Sequence, residues 1–371
     1  MTHVGIVAVS EPKFGGTFPY TLSMIEALHR IPGYRYTIFT TPRNHAYDRF
    51  GSPIVRLPSI LPAVCRWVGG TCGMSKWLGL FQQTDKLIAP IYTTYLLASR
   101  RPFVYTLHDL QERYFPDNFT YAQRLWRLLT NTMLTRHAAR IVCESEYVKH
   151  DITRFLGVEP ARISVIPAPP VSAFRDVDVS AALLAAVCTR LSLPEQYLLY
   201  PAQFFRHKNH MRLVEAFARI VQRNARIHLV LTGTRRFEYD NVMARAAQLG
   251  LGQRIRHVGQ LDVEDLALVY KLAHIVVIPT LFESISIPIY EAWMMGVPVC
   301  ASNVVALPEQ LGDAGVLFDP LSVEDIADKI STVLDDGELR NTLIARGKRR
   351  VQALTIDRYA QELRAMLEQV E

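Results

Sequence analysis

Short β-branched runs alternate with longer amphipathic stretches along most of the chain, which is the pattern of parallel sheets with crossover helices. In the first half, strands are predicted at Val4 to Val9, Tyr36 to Thr40, Lys86 to Ala89, Phe103 to Leu107, Arg140 to Cys143 and Ile163 to Ile166. Amphipathic stretches such as Tyr20 to His29 and Tyr121 to Ala138 supply helices between them. Three prolines in the four residues Pro167 to Pro170 then interrupt the pattern, because proline propagates neither a helix nor a central strand. Beyond them the same grammar returns, with strands at Tyr197 to Pro201, Ile227 to Thr232, Ile255 to Val258, Ile275 to Ile278, Val297 to Ala301 and Val316 to Phe318. Two α/β domains joined by a proline linker follow from this pattern.

Length agrees: 371 residues exceed one ordinary core of about 150. With 49% hydrophobic and 20% charged residues the chain falls outside the disordered and collagen-like classes. The net charge of +6 is unevenly placed. Through Pro170 there are 19 Lys and Arg against 11 Asp and Glu, a net of +8, whereas the remainder holds 22 against 24. An anionic partner of the first half, whether membrane, nucleic acid or acidic substrate, accounts for this asymmetry, and so does a merely solvated arginine-rich face. Nucleic acid is the least favoured, since no reader motif accompanies the charge.

The five cysteines form no C-x-x-C pair and no zinc spacing, which fits a reducing compartment. Val4 to Val9 lacks the basic flank of a signal peptide, and Leu87 to Ser99, broken by Pro90, is well short of the ~20 residues that span a bilayer. Ile60 to Gln82 mixes Trp67, Trp77, Leu78, Leu80 and Phe81 with Arg66 and Lys76 and has no acid. That composition suits an interfacial membrane helix, and equally a core-packing helix with two solvated cations.

The densest candidate chemistry lies between Pro279 and Pro298, where Glu283 and Glu291 stand eight positions apart in an otherwise apolar segment at a strand end and helix start. Buried carboxylates need partners, and the hydroxyls of a polyhydroxylated ligand supply them. The turn Ser284, Ile285, Ser286, Ile287 is expected to leave backbone N–H groups free for an anion or sugar oxygen. The plainer reading is a pair of carboxylates favoured by the helix dipole.

This segment resembles the E-x7-E signature of retaining GT-B glycosyltransferases of family 4. The likeness continues through Ala301-Ser-Asn303, Leu307-Pro-Glu309 and Gly312-Asp-Ala-Gly315 to Asp319-Pro320, in order and spacing. Gly15-Gly16 resembles the family's N-terminal glycine loop, Thr106-Leu-His108-Asp109 its T-x-H-D, and Cys143 to Tyr147 its serine-containing stretch. Ile166-Pro167-Ala168 stands where the family has I-P-N-G, Gly233 and Val258-Gly259 fall on its nucleotide-domain markers, and Arg206-His-Lys208-Asn209 is similar to its phosphate clamp. Ala202 and Gln203 replace a common glycine and its neighbour, and Ser286 replaces the second glycine of E-G-F-G, which would strain a backbone that needed positive φ.

The resemblance implies two Rossmann-like domains, parallel sheets flanked by helices, facing each other across a cleft. The acceptor-binding domain would cover 1–170, the nucleotide-sugar-binding domain 171–350, and a helix over 351–371 would pack back toward the first. Glu291 is then expected on the donor ribose, Glu283 on a sugar hydroxyl, Lys208 and Arg206 on the diphosphate, with Gly15, Gly16 and the turn Ser284, Ile285, Ser286 and Ile287 completing the donor site. His108 would face the sugar, and with Asp109 the acceptor. No covalent nucleophile stands out, so a front-face departure is expected. No metal or other cofactor is expected, since Asp176-Val-Asp178 follows the linker and the cations can hold the diphosphate.

The stretch His108-Asp-Leu-Gln-Glu112 to Pro116 is similar to mannosyltransferase members, which implies GDP-mannose as donor, with a UDP-sugar second. The implied acceptor is a glycan or lipid-linked oligosaccharide of surface polysaccharide or lipopolysaccharide synthesis. The implied location is cytoplasmic, at the inner membrane face. A sugar-nucleotide 2-epimerase and an inactive sugar-nucleotide-binding scaffold are the rival readings.

Overall fold

The computed structural model describes residues 1–12, 16–57, 79–170, 174 and 176–370. Gly15 and the stretch from Ile60 to Leu78 lie outside the described residues. Contacts divide the chain into unit 1, Met1–Val171 with Leu354–Glu371, and unit 2, Ser172–Ala353.

Unit 1 runs β1 (Thr2–Val7), α1 (Thr17–His29), β2 (Tyr34–Thr40), β3 (Ile54–Arg56), β4 (Lys86–Ala89), β5 (Phe103–Thr106), α2 (Gln111–Tyr114), α3 (Tyr121–His137), β6 (Arg140–Cys143), α4 (Glu146–Leu156) and β7 (Ile163–Val165). Its strands pair in parallel in the order β3-β2-β1-β4-β5-β6-β7. Ile6, Ile38, Ile88 and Val104 are buried on one side of the sheet beneath Met24, Ile25 and Leu28 of α1, and Leu87, Phe103, Tyr105 and Ile141 on the other. Helix starts are built locally: Thr120 and Gln123 form a reciprocal capping box at α3, and Ser145 accepts from the Val148 amide at α4.

Unit 2 runs α5 (Ala181–Leu191), β8 (Tyr197–Pro201), α6 (His210–Arg223), β9 (His228–Thr232), α7 (Tyr239–Gln248), β10 (Ile255–His257), α8 (Val263–Leu272), β11 (Ile275–Ile278), α9 (Ile287–Met295), β12 (Val299–Ser302), α10 (Leu307–Leu311), β13 (Val316–Phe318), α11 (Val323–Asp335) and α12 (Gly337–Gln352). Its parallel order is β10-β9-β8-β11-β12-β13. Ile275 to Ile278 are buried throughout, as a central strand covered on both faces requires.

The last helix, α13 (Ile356–Glu368), lies in unit 1 against α1, with Leu363, Met366 and Leu367 in the same core as Met24 and Leu28. Lys86 Nζ, at the start of β4, donates to the carbonyls of Leu367 (3.0 Å) and Val370 (2.6 Å), so a cation closes the helix C-terminus. Leu354–Glu371 holds two Arg against four Asp and Glu, which leaves unit 1 at +6 and unit 2 neutral.

Two departures from the sequence pattern have local causes. β3 is an edge strand of three half-buried residues, too short and too exposed to show a hydrophobic period. The strand expected from Val297 begins at Val299, because Gly296 closes α9 in the left-handed conformation (φ 72°) and Pro298 carries no N–H for the ladder.

α9 and α12 meet at Gly347, where a Cβ would lie 2.2 Å from the buried Trp293 ring. Gly347→Ala is therefore expected to destabilise unit 2 by about 1–3 kcal/mol, read as a lower thermal midpoint. An unchanged midpoint would mean that the indole can move aside freely.

Candidate functional site

In an open parallel sheet, ligands bind at the carboxyl ends of the strands where the strand order reverses. In unit 2 that point lies between β8 and β11, because the chain proceeds from β8 to β9 on one side and from β11 to β12 on the other. The segments leaving these two strands carry Arg206, Lys208 and Glu283.

Backbone docking brings them together. Asn209 is buried and left-handed (φ 61°), a conformation asparagine tolerates, and its Nδ2 donates to the carbonyls of Pro279 and Pro320, both at 2.9 Å. The Leu281 amide (2.7 Å) and Thr280 Oγ1 (3.1 Å) donate to the His207 carbonyl, and Tyr200 Oη donates to the Lys208 carbonyl (2.7 Å). With the backbone so fixed, Lys208 Nζ donates to Glu283 Oε2, each side chain about one-fifth exposed. Arg206, on the same turn, is exposed and makes no ion pair with a described carboxylate.

The turn from Ser284 to Ile287 differs from expectation. Ser286 is buried, its amide donates to Gln310 Oε1 (2.8 Å), and Gln310 Nε2 donates back to the Ser286 carbonyl (2.8 Å). That amide is therefore not free for a ligand: α10, which carries Gln310, is anchored on it. The backbone at Ser286 is ordinary (φ −108°), and Ala202 has no positive φ either, so neither replacement of a family glycine costs strain. The glycine requirement sits instead at Gly233 (φ 103°), where a Cβ would lie 2.7 Å from the Ala202 carbonyl oxygen.

Glu291 is half-buried on α9 and accepts a hydrogen bond from Tyr270 Oη of α8 (2.7 Å). Burial pushes its carboxyl up to about 7, with the tyrosine opposing the shift. His210, beside this region, stacks on Phe204 with ring centroids 4.3 Å apart and is kept neutral by burial and the nearby Lys208 charge, its pKa pulled down to about 3.

In unit 1 the strand order reverses between β1 and β4. His108, just beyond β5, pairs through Nδ1 with Glu144 Oε2 (2.8 Å) and through Nε2 with the Pro90 carbonyl (3.0 Å), and Tyr20 of α1 meets it edge-on. A carbonyl only accepts, so Nε2 carries a proton, and the carboxylate favours a second one on Nδ1. Burial pulls the His108 pKa down, but the bond to Glu144 and its charge outweigh burial, and the net shift is upward. Both ring nitrogens are thus engaged, and neither offers a lone pair to a ligand. Asp109 is engaged as well: its Oδ1 accepts from Arg127 Nη2 (3.0 Å), and the same guanidinium binds Glu112 Oε2 (2.7 Å) between the rings of Tyr92 and Phe119. Gly16 sits at the exposed start of α1 with an ordinary φ of −57°.

Asp178 of the Asp-x-Asp triplet accepts from the Ser180 amide (2.9 Å) at the entry to α5. Among the described residues no group of three or more His, Cys, Asp or Glu side chains could hold a metal ion. Asn209, Gln310, Tyr270 and Glu144 were not anticipated as partners of the site. Asn209 and Glu144 stand inside stretches that resemble the family's motifs, and Gln310 and Tyr270 stand outside them.

Two family models match the chain, Glycosyltransferase Family 4 over residues 14–169 and Glycosyl transferases group 1 over residues 189–350. O-antigen chain mannosyltransferase B of Escherichia coli is 37% identical over 153 residues, 41% of this chain and 40% of that protein. The serotype-specific mannosyltransferase WbdA of Escherichia coli is 26% identical over 258 residues, 66% of this chain and 31% of that protein. The matched region is thus less than half the length of either relative. The Anabaena protein HepE, solved in complex with UDP and glucose, superposes over the full length of both chains with a TM-score of 0.80 at 17% identity, a likeness of fold.

Glu291 makes stability depend on pH in a defined direction. Its folded pKa lies above the ordinary 4.5, so the folded state binds more protons and stability falls as pH rises from about 4.5 to about 7, then levels. Glu291→Gln removes that cost and keeps an acceptor for Tyr270. The variant should unfold at a higher temperature than the parent above pH 7, by up to roughly 3 kcal/mol in stability, with the gain gone near pH 4.5. A gap independent of pH would show that the carboxyl titrates normally.

Proposed function

Because the chain belongs to glycosyltransferase family 4 and has the GT-B fold, we propose that it moves a hexose, with retention of anomeric configuration, from a nucleotide sugar to a hydroxyl of a growing surface glycan. The observation that carries this reading is the Lys208–Glu283 pair at the point where the strand order of unit 2 reverses. Without a ligand the two charges neutralise one another. An arriving diphosphate offers Lys208 a more highly charged partner, with Arg206 exposed on the same turn as a second cation. Glu283 is then released to accept a hydrogen bond from a sugar hydroxyl.

When the bond between the anomeric carbon and the leaving phosphate oxygen breaks, negative charge grows on the diphosphate, and fixed cations there lower the barrier. The acceptor oxygen forms its bond on the same face, and its proton passes to the departing phosphate oxygen. His108, both of whose nitrogens are engaged, is assigned to orientation rather than proton transfer. Glu291, ionised above about pH 7, is assigned to the ribose hydroxyls. The cations take the electrostatic part that a divalent metal plays elsewhere, so turnover is expected to survive a chelator.

GDP-mannose is the proposed donor, supported by the two Escherichia coli mannosyltransferase relatives and by the His108 to Pro116 stretch. A lipid-linked or other glycan precursor at the cytoplasmic face of the membrane is the proposed acceptor. A UDP-sugar donor is the second reading, favoured by the likeness of fold to HepE, whose structure holds UDP. Among the described residues no helix is long and apolar enough to cross a membrane.

Calorimetry against GDP, UDP, ADP and TDP should give GDP as the tightest ligand; UDP as the tightest selects the second reading, and no binding at all overturns the enzyme. Lys208→Ala and Glu283→Ala should each lower turnover on the order of 100 to 1,000-fold with unfolding little changed. A loss under about threefold at both positions, against that expectation, would show that the site lies elsewhere. Product NMR should show the anomeric configuration of the donor; the opposite anomer excludes retention.

A further inference from the structure

Of the eleven large apolar side chains that stand out as exposed among the described residues, five lie within nine positions of one helix. They are Tyr121, Leu125, Trp126, Leu128 and Leu129 of α3, between 39% and 74% exposed. Tyr121, Leu125 and Leu129 repeat every fourth residue and form one ridge along the helix. The opposite face, packed on the turn Thr94–Ala98 and on α4, buries Thr130, Asn131 and Thr135 together with Leu134. Polar side chains thus face the protein while the larger apolar ones face out. Folding alone gives no reason for that arrangement, since each exposed leucine forgoes the gain of burial.

The charges beside this ridge identify what covers it. From Asn118 to Cys143 the sequence contains no acidic residue. Arg136 is exposed near the C-terminal end, and Arg124 stacks its guanidinium over the Tyr121 ring at 5.9 Å. The remaining arginine within the helix, Arg127, turns inward, where Asp109 and Glu112 balance it. The helix belongs to unit 1, which carries the whole positive excess of the chain. A second copy would set this face against itself, arginine against arginine with no acid to answer. A surface apolar within and negative at its rim fits both features.

We propose that α3 is an interfacial docking helix, with Leu125, Leu129, Tyr121 and Trp126 entering the headgroup boundary of an anionic lipid bilayer and Arg124 and Arg136 meeting its phosphates. This places the contact on a described helix rather than on Ile60 to Gln82. It goes beyond the transfer reaction and does not depend on it: the donor site is read at Lys208, Glu283 and Glu291 of unit 2, and the ridge on α3 of unit 1 includes no residue assigned to the reaction.

The test is co-sedimentation of the full chain, without nucleotide, with vesicles of phosphatidylcholine alone or mixed with phosphatidylglycerol. The unaltered chain should bind the mixed vesicles and be released by salt. Leu125→Gln with Leu129→Gln should weaken partitioning on the order of a hundredfold, while the thermal midpoint and turnover on a soluble acceptor stay as they were. Arg124→Gln with Arg136→Gln should remove most of the preference for phosphatidylglycerol, on the order of tenfold or more. Binding of the leucine variant equal to that of the parent overturns the proposal, because another surface then docks. Failure of the unaltered chain to bind overturns it too, and a dimer in sedimentation velocity that the leucine variant dissolves would assign the face to a second copy instead.

Discussion

Three loops of unit 2 converge on one buried amide. Asn209 Nδ2 donates to two prolyl carbonyls, Pro279 after β11 and Pro320 after β13, while its own backbone, after β8, adopts the left-handed conformation. No backbone ladder connects these loops, so the side chain does what a strand pairing cannot. The His207 carbonyl, accepting from Leu281 and Thr280, completes the join. Lys208 and Glu283 face each other because the segments that bear them are fastened at both neighbouring positions. Their attraction alone would not have aligned the loops, since a partly exposed ion pair gains little over its hydration and lost side-chain freedom.

The same economy of charge runs through both units. Lys208 pairs with Glu283, His108 with Glu144, and Arg127 with Asp109 and Glu112. Each pair lets an ionised group sit partly buried without an unpaired charge. Glu291 is the exception, since its partner Tyr270 is neutral and burial raises its pKa to about 7. Its ionisation near neutral pH is then the one most sensitive to a further hydrogen-bond donor beside it.

Much of this was legible in the sequence, and what was not has a common cause. The β-branched runs located almost every strand, because buried parallel strands are apolar on both faces. The two glutamates stood out by residue type and spacing, and the Arg206 to Asn209 turn by its resemblance to the family's phosphate clamp. Their partners could not: Gln310 lies 24 positions from Ser286, Tyr270 lies 21 from Glu291, and Glu144 lies 36 from His108. Contacts at that separation are made by the strand order, which no local period reveals. The helix over Tyr121 to His137 was legible as a helix, but not which face it buries. It has apolar residues all round, and only packing shows that Thr130 and Asn131 point inward.

The return of α13 bears on where the positive charge of unit 1 is felt. The segment Leu354–Glu371 lowers the net charge of the unit to +6, yet the acids of α13 are answered on the spot. Asp357 binds Arg30, Glu362 binds Arg358 and Glu368 binds Arg364, the last two pairs one helical turn apart. Exposed charges separated by more than about 10 Å at moderate salt hardly interact, so acids consumed by immediate neighbours leave little field for distant cations. The arginines of α3 have no acid on their own helix. The net charge of the unit does not show how its cations are placed: at α3, Arg124, Arg136 and the exposed leucines occupy one helix that holds no acid.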